Sequence, residues 1–177
     1  MLKSVGSNWC ITVVTVVAAI SDTHLPRGAR RLPEDCLERL RAADAILHCG
    51  DFSASSVLEE LRALGPPVHG VRGNVDEPAL RRLLPEELVV ELGGTRIGMM
   101  HVPGPAVGRE ERLARRFPGC AAVLFGHTHL PQVERSTGGV RLLNPGSPTE
   151  RRRAPFHSML ELTIEAGAIR PELLRLT

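Results

Sequence analysis

Five apolar runs in this chain break off at an aspartate, an asparagine or a histidine, and that recurrence constrains the fold more than any other feature. Trp9–Ile20 leads into Ser21-Asp22-Thr23-His24, Ala45–Cys49 into Gly50-Asp51, and Val68–Val71 into Arg72-Gly73-Asn74-Val75-Asp76. Thr95–Met100 runs into His101, and Ala121–Leu124 into Phe125-Gly126-His127-Thr128-His129. Short apolar runs rich in valine and isoleucine read as buried strands. In open α/β sheets, sites form in the crevice beyond the carboxyl ends of strands. Five strand ends can therefore deliver Asp22, His24, Asp51, Asn74, His101, His127 and His129 to one rim.

The segments between these runs fill in the rest. A helix is predicted from Pro33, at the favoured first position, to Ala42. Ser53 or Ser55 can cap a second helix, whose Val57, Leu58, Leu61 and Leu64 have helical spacing. Further helices are predicted over Glu77–Leu84 and Arg109–Phe117. Gly93-Gly94 joins Leu88–Leu92 to Thr95–Met100 as a two-residue hairpin. Strands near Gln132–Arg135 and Val140–Leu143 precede the Asn144-Pro145-Gly146-Ser147 turn, and Phe156–Ile164 with Ala168–Leu174 form a closing hairpin. The first half alternates strand and helix, as a parallel core does, while the second half is strand-rich. An α/β sandwich of mixed sheets with helices outside follows.

A length of 177 residues suits one domain, with residues 11–177 as the folded unit and residues 1–10 as a loose extension. The apolar run near the start is too short to span a membrane, which needs about 20 apolar residues. With Lys3 before it the run resembles a signal peptide, but a buried first strand is the better reading, because cleavage after Ala19 would remove the strand that supports Asp22 and His24. Twenty-two Lys and Arg against 20 Asp and Glu give a net charge of +2, so neither nucleic acid nor a membrane is an expected partner. Arg151-Arg152-Arg153 reads as a solvated turn. Cys10, Cys36, Cys49 and Cys120 are scattered and form no Cys-x-x-Cys pair, which fits a reducing cytoplasm.

The seven candidate ligands are carboxylates, one amide oxygen and imidazoles, with no thiolate. That set suits manganese, iron or zinc. In extended backbone, residues i and i+2 point to the same side, so His127 and His129 can converge on one cluster and still reach two neighbouring ions. A bridging carboxylate can serve two ions about 4 Å apart, and a shared water of lowered pKa is a nucleophile at neutral pH. His48, His69 and His157 read as structural, and Asp76 as a helix cap or a residue that orients a site water.

The ordered series Asp-x-His, Gly-Asp, Gly-Asn-x-Asp, His, Gly-His-Thr-His and Asn-Pro-Gly-Ser, from about Val13 to Arg153, resembles the calcineurin-like metallophosphoesterases, particularly their small bacterial and archaeal phosphodiesterases. The resemblance implies a four-layer αββα sandwich of two mixed β-sheets flanked by helices. It implies two divalent metal ions, manganese foremost, with nickel, iron or zinc as alternatives. Asp22, His24, Asp51 and His129 would hold the first, and Asp51 as bridge with Asn74, His101 and His127 the second. It further implies a hydrolase that cleaves a small phosphodiester with a metal-bridging hydroxide, Asp51, Asn74 and His101 serving catalysis. Two positions depart from the family pattern: Val75 stands where many members carry a proton-donating histidine, and Val102 where relatives carry a small residue. The loss at Val75 makes an alternative respectable: a catalytically weak interaction scaffold, as in the small phosphoesterase-fold subunit of the eukaryotic retromer. The apolar Leu88–Met100 hairpin is either core or a homodimer contact.

Overall fold

The computed structural model describes residues 13–135 and 138–177. The extension expected at residues 1–10, Cys10 and the first residues of the leading apolar run lie outside them. The strands are β1 (Val14–Ile20), β2 (Ala45–His48), β3 (Val68–Gly70), β4 (Glu87–Leu92), β5 (Thr95–Met100), β6 (Ala122–Leu124), β7 (Gln132–Arg135), β8 (Arg141–Asn144), β9 (His157–Glu165) and β10 (Ala168–Leu176). The helices are α1 (Glu34–Ala42), α2 (Ser55–Arg62), α3 (Pro78–Leu83) and α4 (Arg109–Arg116). One sheet has the order β10-β9-β1-β2-β3 and the other β4-β5-β6-β8-β7. Both are mixed: β1, β2 and β3 are parallel, as are β5, β6 and β8, and antiparallel strands complete each sheet.

Period-two alternation along the central strands builds the layers. Val17 and Ala19 of β1, with Ala45 and Leu47 of β2, face Ile97, Met99, Ala122 and Leu124 of the opposite sheet. The intervening Ala18, Ile20 and Ile46 face outward against Cys36, Leu40, Leu58, Leu61 and Leu80 of α1, α2 and α3. On the far side Leu113 and Phe117 of α4 cover Val123, Phe125 and Leu142. The order is thus helices, sheet, sheet, helix, the four-layer sandwich expected. Val90 of the β4–β5 hairpin is buried in the central layer with Leu88 and Leu92 packed against it, so one face of that hairpin is core, while Val89 on the other face is exposed.

Three local expectations are corrected. Pro33 precedes the first helical residue and is the N-cap of α1. Ala54 is the N-cap of α2, and no side chain caps it; Ser55 instead donates its N–H and hydroxyl to Glu77, the acid that precedes α3. Asp76 does not cap α3, whose N-cap is Glu77. Its buried carboxylate accepts the N–H groups of Ser53 (2.8 Å) and Gly73 (2.6 Å), tying the loop after β2 to the loop after β3.

No helix among the described residues is long and apolar enough to cross a membrane. Cys36, Cys49 and Cys120 are buried and unpaired, and Arg151–Arg153 are exposed. His48 is the core residue expected, with its ring stacked on Phe52 at a 3.5 Å centroid distance. Gly50 donates its N–H to His48 Nδ1 (3.2 Å), so the proton sits on Nε2 and faces Thr23 Oγ1 (3.2 Å). Burial pushes its pKa down to about 3.

Two predictions follow from this packing. Above pH 6.5 His48 is neutral whether folded or unfolded, but below it only the unfolded chain takes up the proton, so stability is lost as pH falls from 6.5 toward 3. In the metal-free protein, His48→Gln should flatten this decline by about 1.4 kcal/mol per pH unit, read from urea unfolding across that range; an unchanged slope would refute the burial account. Separately, a Cβ on Gly98 would lie 2.6 Å from Phe117 Cγ, where α4 sits directly on β5. Gly98→Ala should therefore cost about 1–3 kcal/mol in the same assay.

Candidate metal centre

The parallel strands β1, β2 and β3 of one sheet and β5 and β6 of the other bring all seven predicted residues together beyond their carboxyl ends. Asp22, His24, Asp51, His101 and His129 are buried, His127 is half-buried and Asn74 is exposed. Two clusters abut. In one, His129 Nε2 lies 3.2 Å from both Asp22 Oδ1 and His24 Nε2, and His24 Nε2 is 3.8 Å from Asp22 Oδ1. In the other, His101 Nε2 lies 3.1 Å from both Asp51 Oδ2 and Asn74 Oδ1, and His127 Nδ1 is 2.9 Å from Asn74 Oδ1. Asp51 Oδ2 also reaches within 3.8 Å of His24 Nε2, so one carboxylate faces both groups.

The backbone that presents these side chains is not extended, which corrects the reading of the His127–His129 pair. Asp22, His24, Asp51, His127 and His129 all have positive φ, from +46° to +69°. They are five of the eight non-glycine residues in that region among the described residues. Left-handed backbone is uncommon for residues with a Cβ and persists only where the surroundings over-determine it. Here they do. Asp22 and His24 donate their N–H groups to Gly50 and Asp51 carbonyls (both 3.0 Å), and Gly126 donates to the His101 carbonyl (3.1 Å). Ser147 Oγ donates to the Asp22 carbonyl (2.8 Å) and Thr149 Oγ1 to that of Thr23 (2.6 Å). Asn144 Nδ2 donates to the Gly126 carbonyl (3.1 Å). The Asn144–Ser147 turn thus lies beside the site, and its polar groups brace the loops that carry the candidate ligands.

Glycines make the room. A Cβ on Gly126 would fall inside the Ser21 hydroxyl and 2.7 Å from Asp22 Oδ2. One on Gly73 would strike the Asp51 carboxylate, and one on Gly50 would lie 2.8 Å from the His101 ring. The glycine of each motif is therefore the seat for a candidate ligand from another loop.

Hydrogen bonds set which atoms face inward. His101 Nδ1–H donates to the Cys49 carbonyl (2.7 Å) and His129 Nδ1–H to the Glu150 carbonyl, leaving both Nε2 atoms toward the clusters. Burial would raise the Asp51 pKa, but His101, the Val75 N–H and His24 outweigh it and bring it down to about 2. Burial likewise opposes the ionised Asp22, yet His129, His101 and the Ser21 hydroxyl hold it below the usual carboxylate range. Burial would lower His101, but Asp51 and Asp22 raise it, while burial lowers His24 and His127.

Asp22 Oδ2 accepts the Ser21 hydroxyl (2.6 Å) and the His127 N–H (2.9 Å), but its buried Oδ1 has no hydrogen-bond donor. A buried carboxylate oxygen without a donor is costly, and a cation beside it would satisfy it. The groupings Asp22/His24/His129 and Asp22/Asp51/His101 each bring their ligand atoms within 4.8 Å of one another, a donor set that can hold divalent metal. Sequence reasoning missed Glu150, whose carboxylate also faces His24; nothing in a polar turn before three arginines distinguishes it.

Comparison with known proteins agrees. The chain is 35% identical over 153 residues to a protein of Methanocaldococcus jannaschii named probable metallophosphoesterase, covering 85% of this chain and 76% of that one. The solution structure of a Thermotoga maritima protein superposes with a TM-score of 0.73 at 32% identity, covering 92% of this chain and 99% of that one. Wild-type Vps29 of Entamoeba histolytica, solved in complex with Zn²⁺, superposes with a TM-score of 0.70 at 25% identity and the same coverage. Residues 16–167 match the calcineurin-like phosphoesterase superfamily domain, and the chain belongs to that superfamily.

Proposed function

We propose that the chain is a dinuclear metal-dependent phosphodiesterase. The observation that carries this reading is Asp51, one carboxylate within 3.8 Å of His24 in one cluster and 3.1 Å of His101 in the other. Asp22, His24, Asp51 and His129 would hold one divalent cation, and Asp51, Asn74, His101 and His127 would hold the second. When bound, the pair lowers the pKa of a shared water and offsets phosphate charge. Two carboxylates against two divalent cations leave a positive excess, and Asn74, being neutral, does not cancel it. Manganese is the ion we favour, with nickel, iron and zinc as alternatives. His101, pinned through Nδ1 by the Cys49 carbonyl, keeps a fixed ring beside the reacting phosphate. A cleft of about 260 Å³ lined by residues including Arg72, Asn74, Arg81, Glu86, His101 and Val102 opens beside it and suits the leaving group of a small diester.

Val75 has no proton to give, but its N–H donates to Asp51 Oδ1 (2.9 Å), so the position serves the bridge through its backbone. Water is then the proton donor to the leaving alkoxide oxygen, which departs as the alcohol. A second reading, an interaction scaffold, draws support from Val75, Val102 and Leu130, which are exposed apolar residues each directly following a candidate ligand. The completeness of the ligand set favours the enzyme.

Metal-stripped protein should regain hydrolysis of bis-p-nitrophenyl phosphate, in preference to p-nitrophenyl phosphate, when manganese, nickel, zinc or magnesium is added singly. Inactivity with two ions measurably bound would establish the scaffold instead. Asp51→Asn should lower turnover by about 10²-fold or more, the scale of deleting one electrostatic stabiliser; wild-type activity in that variant would sink the shared-carboxylate assignment. Val75→His should accelerate diesters of poorly leaving alkyl alcohols, with about 10²–10⁴-fold as the range open to an added general acid, while barely changing p-nitrophenyl esters. Equal gains on both substrate types would show that proton donation is not what the position lacks.

A further inference from the structure

We infer that Glu150 supplies a third carboxylate to the cation held by Asp22, His24 and His129, making that site the harder of the two. The inference rests on the metal-centre reading above. Glu150 Oε2 lies 3.7 Å from His24 Nε2, the same nitrogen that faces Asp22 Oδ1 and Asp51 Oδ2 at 3.8 Å. Like Asp22 Oδ1, it is buried and has no hydrogen-bond donor. Two buried, unsatisfied carboxylate oxygens therefore flank one imidazole nitrogen, and a single cation is the group that answers both.

The backbone places this side chain with the precision of a ligand. The Glu150 carbonyl accepts His129 Nδ1–H, and its N–H donates to Ser147 Oγ (2.9 Å), the hydroxyl that also holds the Asp22 carbonyl. Glu150 is thus tied to both Asp22 and His129 before its carboxylate is considered. The bland account makes it a partner for Arg27 and Arg30, whose Nη1 atoms stand 3.4 Å from Oε1 and 3.5 Å from Oε2. Neither contact gives Oε2 a hydrogen bond, and the Arg27 side chain is largely exposed. Arg27 steadies the outer oxygen Oε1, while Oε2 stands between Arg30 Nη1 at 3.5 Å and His24 Nε2 at 3.7 Å, within reach of the site.

A third oxygen ligand carries a preference. Carboxylates suit manganese and magnesium, whereas imidazole-rich sets suit zinc. Glu150 accordingly biases its site toward manganese.

Calorimetric titration of the metal-free protein with manganese, and separately with zinc, tests this. Wild type should bind two ions of each. In Glu150→Gln, which keeps shape and removes charge, one of the two manganese sites should weaken by about 10–100-fold, with zinc affected less. Glu150→Asp, which keeps the charge but withdraws it by one methylene, should fall between. Arg30→Met should leave manganese affinity intact or raised. Wild-type manganese affinities in both Glu150 variants would overturn the inference while leaving the dinuclear centre standing. A loss in Arg30→Met equal to that in Glu150→Gln would equally overturn it, assigning Glu150 to the ion pair. A wild-type chain that binds no metal would bring down the proposed function itself.

Discussion

At their carboxyl ends the two sheets approach closely through glycines, and the candidate centre depends on that closeness. Gly126 on one sheet backs against Ser21 and Asp22 on the other, and Gly50 backs against the His101 ring. The Cys49 carbonyl then reaches His101 Nδ1, and the Asp22 carboxylate reaches the His127 N–H. Each sheet thereby orients donors carried by its neighbour. Neither could hold the arrangement alone, because the ligands of each cluster come from both.

Much of this was legible in the chain. Strand runs rich in valine and isoleucine have only one way to hide both faces, and the polar residue ending each run has nowhere to go but the rim. What was not legible is the backbone at those residues. Asp22 and His129 look like extended continuations of their strands, whereas both turn left-handed, and residues as distant as Ser147 and Thr149 hold the carbonyls of Asp22 and Thr23 in place. The helix starts were misread for a related reason. Ser53 and Ser55 offer good capping chemistry locally, but Asp76 and Glu77, over twenty residues away, take up the N–H groups involved. Local propensity yields here to carboxylates brought in from a distant loop.

Glu150 is the extreme case. It lies in a turn, precedes three exposed arginines and belongs to no strand. Only the fold brings it beside His24. Membership of a superfamily marks the motif residues and says nothing of a side chain recruited from outside the motifs. Val75 points the other way, since a side chain with no proton to give keeps a job through its N–H alone.

The left-handed loops bear on which amino acids can serve here at all. Asparagine, aspartate and histidine are the residues with a Cβ that tolerate positive φ best, because their short polar side chains bond locally. Asp22, His24, Asp51, His127 and His129 are drawn from that small alphabet. Glutamate binds the same ions with a longer reach, yet it occurs only at Glu150, where φ is not positive. At these five positions the candidate ligands are thus filtered twice, once by a cation's taste in donor atoms and once by the dihedral angle the position demands. Swapping Asp for Glu at such a position would alter the chain's path before it altered the metal's.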